Sequence, residues 1–158
     1  MMRKLILIIN DGNKNEELKN SLKESYNVLE FKELNGVMDM LASLRRNGAS
    51  VAVVSNKFYA ATQELVAHFF GDYITVAIGE REGIRKKPAP DTVIEAMRQL
   101  GAGKEGTVYI GDSDVDVMTA RNCGIPCISV LWGFRDRDFL VAHGADTFAG
   151  KASDILLL

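Results

Sequence analysis

Five short apolar runs, separated by stretches of helical periodicity, do most to restrict what this chain can become. They are Leu5 to Ile9, Val51 to Val54, Tyr73 to Ile78, Thr107 to Ile110 and Cys127 to Leu131. A strand with one face in water alternates apolar and polar residues, whereas a strand covered on both faces does not. The five runs do not alternate, so they read as doubly buried strands with crossover helices between them. Val37, Leu41 and Leu44 form one helical stripe and Val93, Met97 and Leu100 another, while Leu18, Leu22, Tyr26 and Leu29 mark an earlier helix. Gly48 and Gly101 supply helix stops. The expected fold is α/β: an open, Rossmann-like parallel sheet of about five strands with helices on both faces.

No repeat, low-complexity tract or linker divides the sequence, so residues 1–158 are expected to form a single core domain. A hydrophobic content of 47%, with 25% charged residues and three prolines, describes a folded chain rather than a disordered one. The net charge of -2 gives no basic footprint, which argues against nucleic acid as a partner. The apolar runs are too short to span a bilayer. Met1-Met2-Arg3-Lys4 before Leu5 faintly imitates a leader, but no small-residue cleavage site follows. A cytoplasmic protein is expected. Cys123 and Cys127 match neither a Cys-x-x-Cys nor a zinc spacing and read as free core thiols. His68 and His143 stand apart from each other and read as helix-surface or packing residues.

Chemistry concentrates where strands end. Gly111-Asp112-Ser113-Asp114-Val115-Asp116 follows the run Thr107 to Ile110 directly, which puts carboxylates at the carboxyl tip of a buried strand. Ligands bind at such tips in open α/β sheets. Asp112 and Asp116 offer hard oxygens to a divalent cation such as Mg²⁺, which takes one or two carboxylates and keeps several waters. A plainer reading has Asp114 capping the next helix and Asp116 near its positive end, but it leaves Gly111 and Asp112 unexplained. Ser55-Asn56-Lys57 follows the second strand, and Lys86-Lys87-Pro88 lies after the third. A hydroxyl, an amide, an ammonium and two carboxylates around one sheet edge suit a phosphate bound beside a metal. Taken singly, Lys87 reads as a solvated loop lysine and Ser55 as a strand-end turn.

Laid out in order, these segments resemble the haloacid dehalogenase superfamily, and within it the phosphoglycolate phosphatase-like branch. Val51 to Lys57 looks like its second motif, and Arg85 to Asp91, with Lys87 at the lysine position, like its third. Tyr109 to Asp116 is similar to the fourth, which Ala120 to Pro126 continues. Leu131 to Arg135, with Gly144-Ala145-Asp146 later, resembles the tail of this branch. The likeness runs from about Gly36 to the carboxyl end. It implies Mg²⁺-dependent hydrolysis of a small phosphorylated metabolite, with Ser55 and Asn56 on phosphoryl oxygens. Lys87 would balance charge, Asp112 would hold the metal and Asp116 would assist.

The departure lies in the first motif, Asp-x-Asp-Gly-Thr in these phosphatases, whose first Asp is the nucleophile. Here Ile8-Ile9-Asn10-Asp11-Gly12-Asn13 aligns Asp11 with the acid-base carboxylate and Ile9 with the nucleophile. An isoleucine cannot attack phosphorus. The stretch between Asp11 and Ser55 is also too short for the usual helical cap. Residues 1–35 are therefore either a degenerate first motif with its strand, or the remnant of a cap in a truncated phosphatase, since Glu17 to Tyr26 resembles the last cap helix. A sheet without its central strand would expose two edges, and Leu5 to Ile9 is the one run able to fill the gap. The resemblance implies a phosphatase scaffold with impaired turnover. The rivals are a non-catalytic phosphate- and metal-binding relative, and a pyrophosphatase or sugar-phosphate mutase of the same superfamily.

Overall fold

The computed structural model describes residues 4–7 and 29–158, with side-chain surroundings from Gly36 onward. Its strands are β1 (Lys4–Leu7), β2 (Val51–Phe58), β3 (Val76–Glu80), β4 (Thr107–Gly111), β5 (Cys127–Val130) and β6 (Phe148–Ala149). They make one sheet in the order β3-β2-β1-β4-β5-β6, with every neighbouring pair parallel. The helices are α1 (Leu29–Arg46), α2 (Tyr59–Phe70), α3 (Asp91–Leu100), α4 (Asp114–Cys123) and α5 (Arg137–Ala142).

Strand β2 shows why the apolar runs do not alternate. Val51 and Val53 pack with Val37, Met40 and Leu41 of α1 and with Val66 and Phe70 of α2. Ala52 and Val54 point the other way, into a second core with Val93, Ala96 and Met97 of α3 and Ala120 and Cys123 of α4. Successive side chains of a strand face opposite sides, so helices on both faces demand apolar residues at every position. The parallel sheet with two helical layers is the fold expected from the sequence.

The strand count is six among the described residues rather than about five. The addition, β6, is two residues long, too short to carry a periodic signature. The third strand begins at Val76 and runs to Glu80, later than the apolar run that marked it. Residues 8–28 contain Ile9, Asp11 and the stretch from Glu17 to Tyr26, which all lie outside the described residues. Among the described residues no helix is long and apolar enough to cross a membrane.

Strand β1 lies in the middle of the sheet. Leu5 is in register with Val51 of β2 on one side and with Val108 of β4 on the other. The chain winds from β1 outward to β3, then returns to β1 and winds outward the other way from β4. That reversal makes the carboxyl ends of β1 and β4 the topological switch point, where doubly wound sheets bind ligands.

Candidate functional site

Strand β4 ends at Gly111, and α4 starts after only Asp112 and Ser113. Ser113 is the N-cap: its Oγ accepts the Asp116 N–H at 3.3 Å, so the cap is not Asp114 as the plainer sequence reading had it. The first turn of α4 folds Asp116 back beneath the strand end. A Cβ on Gly111 would fall inside the van der Waals envelope of the Asp116 side chain, so glycine is what lets the two segments approach.

Asp116 is fully buried, and both its oxygens accept hydrogen bonds. Oδ1 takes the Lys87 ammonium at 2.8 Å and the Tyr109 hydroxyl at 2.9 Å. Oδ2 takes the Ser113 hydroxyl at 2.7 Å and the Asp112 N–H at 3.2 Å. Burial alone would raise the pKa of this carboxyl, but the Lys87 charge and the three hydroxyl and ammonium donors hold it below its ordinary range. A carboxylate has about four acceptor directions, and four donors fill them. Asp116 was expected as a second metal ligand; in this geometry its two oxygens accept these four donors.

Lys87 is likewise buried, not a solvated loop residue. Its backbone is clasped by Asn56, whose Oδ1 accepts the Lys87 N–H at 2.8 Å while its Nδ2 donates to the Lys87 carbonyl at 3.2 Å. The Asn56 amide, expected on a phosphoryl oxygen, thus holds the lysine loop with its oxygen and one of its two N–H donors. Asn122 adds a bond from Nδ2 to the Pro88 carbonyl at 2.9 Å. Ser55 is buried within β2, which runs past the apolar run to Phe58 and so includes Ser55-Asn56-Lys57, and its Oγ accepts the Lys57 N–H at 3.1 Å. The chain of contacts from Asn56 to Lys87 to Asp116 to Asp112 ties the carboxyl half of β2 to the tip of β4. Asp11 lies outside the described residues, so its place relative to these groups is not part of this geometry.

Asp112 is gripped by the segment after β5. Its Oδ2 accepts the Phe134 N–H at 2.8 Å, and its carbonyl accepts the Arg135 N–H at 3.2 Å. A Cβ on Gly133 would overlap the Asp112 side chain, so this approach also needs glycine. Arg135 is braced over the rings of Phe134 and Phe139, at 4.4 and 4.2 Å from their centroids, and its Nε lies 3.6 Å from Asp114 Oδ1. Among the described residues no group of three or more His, Cys, Asp or Glu side chains could hold a metal ion. A half-buried carboxylate of fixed orientation at a strand tip still fits Mg²⁺, which accepts a single protein carboxylate and completes its shell with waters and phosphate oxygens.

Tyr109, Ser113 and the main chain of 133–135 are contributors that the sequence reading did not single out. A tyrosine inside an aliphatic strand needs a partner for its hydroxyl. Ser113 followed three residues later by Asp116 carries a helix-start signal. Those two cues were available in the sequence. For the main chain of 133–135 there was none.

The model of the haloacid dehalogenase-like hydrolases matches residues 1–130. A phosphoglycolate phosphatase from Rhodobacter capsulatus is 37% identical over 101 residues, covering 63% of this chain and 45% of the relative. A solved structure from Lactobacillus delbrueckii subsp. bulgaricus, provisionally called a phosphoglycolate phosphatase, is 44% identical with a TM-score of 0.74, over 76% of this chain and 50% of that one. A haloacid dehalogenase-like hydrolase from Streptococcus pneumoniae shares the fold alone, with a TM-score of 0.75 at 14% identity over 99% of this chain and 97% of that one. The chain spans about half the length of the curated relatives it matches. With the sheet order and the strand-tip segments in agreement, the chain belongs to the haloacid dehalogenase-like hydrolases, in their phosphoglycolate phosphatase-like branch.

Proposed function

We propose that the switch point at the ends of β1, β2 and β4 binds the phosphoryl group of a small phosphomonoester, on a scaffold built for its Mg²⁺-dependent hydrolysis. Lys87 carries this reading. An ammonium has three donors, and among the described residues the buried Lys87 Nζ gives one of them to a side chain, Asp116. A buried donor without an acceptor is costly, and a phosphoryl oxygen is an acceptor of suitable charge. Ser55 would donate its hydroxyl to a second oxygen. Asn56 acts by holding the Lys87 backbone, and Asp116 by holding the ammonium. Asp112 would hold Mg²⁺, which when bound offsets the charge of the phosphoryl group. Residues 1–158 serve as one core domain on this reading, and Asp11 is the proposed acid-base group.

Turnover needs a nucleophile as well. The register that makes Asp11 the acid-base residue puts Ile9 in that position, which favours a second reading: a relative that binds phosphate and metal without hydrolysis. Calorimetric titration with inorganic phosphate in the presence of Mg²⁺, run beside hydrolysis of p-nitrophenyl phosphate, tests both. Saturable phosphate binding that Ser55→Ala weakens supports the site. Absence of such binding in the parent protein overturns it. Binding without turnover selects the second reading.

A further inference from the structure

Tyr109 is the aromatic residue in the aliphatic strand β4, and it is fully buried among Ala52, Val54, Ala120 and Cys123. A phenylalanine would fill this space without a hydroxyl that must be paired. The hydroxyl is paired with Asp116 Oδ1, the oxygen that also accepts Lys87. Burial, and then the charge of Asp116, push the phenol well above its ordinary range, so it remains a donor at any physiological pH. The second oxygen is filled by Ser113 and the Asp112 N–H, so the carboxylate cannot turn without losing a bond.

We propose that Tyr109 is a positioning residue for Lys87: its hydroxyl holds one acceptor direction of Asp116 Oδ1, which limits the ammonium to a single bond with that carboxylate and leaves its other two N–H donors for a phosphoryl group. The proposal rests on the phosphate-binding reading of Lys87. Without the hydroxyl, Oδ1 has a free lone pair and a larger unscreened charge, and the ammonium is drawn closer to it. The same donors then face the phosphate less well. Ser113 cannot compensate, because it bonds the opposite oxygen.

The test compares the parent protein with Tyr109→Phe by two readouts. The first is the side-chain ¹H–¹⁵N resonance of the Lys87 ammonium, assigned by its loss in Lys87→Met. The second is affinity for inorganic phosphate with Mg²⁺. The expected result is a shifted Lys87 resonance and phosphate binding weakened by roughly threefold to tenfold, the size of one net hydrogen bond. Site-specific 3-fluorotyrosine at position 109 keeps the shape and donates more strongly, so it should shift the resonance in the opposite sense, and it serves if Tyr109→Phe folds poorly. A Lys87 resonance unchanged by both substitutions overturns the proposal, whatever happens to phosphate. A parent protein that binds no phosphate refutes the site reading instead, while the resonance still reports whether Tyr109 sets the lysine.

Discussion

Lys87 Nζ lies 2.8 Å from Asp116 Oδ1, with the two side chains 2% and 0% exposed. The lysine comes from the segment before α3 and the aspartate from the first turn of α4, so the pair fastens the two helices of one face under the sheet's carboxyl edge. Removing one partner of such a pair leaves the other charged in a dry place, which costs far more than the intact pair contributes.

Lys87→Met should therefore destabilise the fold by about 3–5 kcal/mol at neutral pH, read by urea denaturation. The pH dependence separates this from lost packing. In the parent, the Asp116 pKa is lowered, so its contribution is present above the unfolded carboxylate value and is lost as pH falls through the folded one. In Lys87→Met the buried carboxyl has lost its cation and its pKa rises, so the variant gains relative stability on acidification. The gap between the two proteins should narrow from pH 7 to pH 5, and adding Asp116→Asn to Lys87→Met should recover part of the loss. A constant gap would assign the effect to packing.

Mg²⁺ affinity should fall strongly in Asp112→Asn and measurably in Gly133→Ala. The second variant keeps the carboxylate but forces a methyl group against it. Its stability cost should be about 1–3 kcal/mol, the usual range for overpacking. Calorimetry with MgCl₂ distinguishes the variants from the parent, and equal binding by Asp112→Asn would remove Asp112 from the metal site.

Ile9→Asp supplies a carboxylate at the nucleophile register. If Asp11 is in the acid-base position, this variant should gain Mg²⁺-dependent hydrolysis of p-nitrophenyl phosphate over the parent. A folded variant that binds phosphate and Mg²⁺ yet shows no gain would refute that register.

The cysteines should be slow to react. Burial, and then the charge of Asp116, push the Cys127 thiol up to about 12, and burial raises Cys123 as well. At pH 8 the Cys127 thiolate fraction is then about one in ten thousand, against about a quarter for an ordinary thiol. Alkylation of Cys127 by iodoacetamide, followed by mass spectrometry, should be about a thousandfold slower in the folded protein than after addition of guanidinium chloride, and Cys123 should also be slowed.

The fold was legible because two-sided burial writes itself into a strand as an unbroken apolar run, as in Val51 to Val54. The positions of Ser55, Lys87 and Asp112 were legible for a related reason: each follows such a run, and parallel strands bring their ends to one edge. The division of labour among them was not. Asn56 faces the Lys87 backbone, and Asp116 faces Tyr109 and Lys87 at once, through contacts that depend on how separate segments pack. Spacing along the chain places residues at an edge but does not say which of them bond each other.

Strand β1 has a consequence for the order of assembly. Lys4 is in register with Thr107, so β1 acquires one of its two neighbours from a segment far along the sequence, beyond β2 and β3. The unit β1-β2-β3 can pair earlier, with one side of β1 open, and the loop closed by β4 is among the longest the chain can form, a topology that slows folding. Lys87 precedes β4 in the chain and Asp116 follows it. The buried ion pair therefore cannot exist until β4 docks, and burial of the lysine reports that docking.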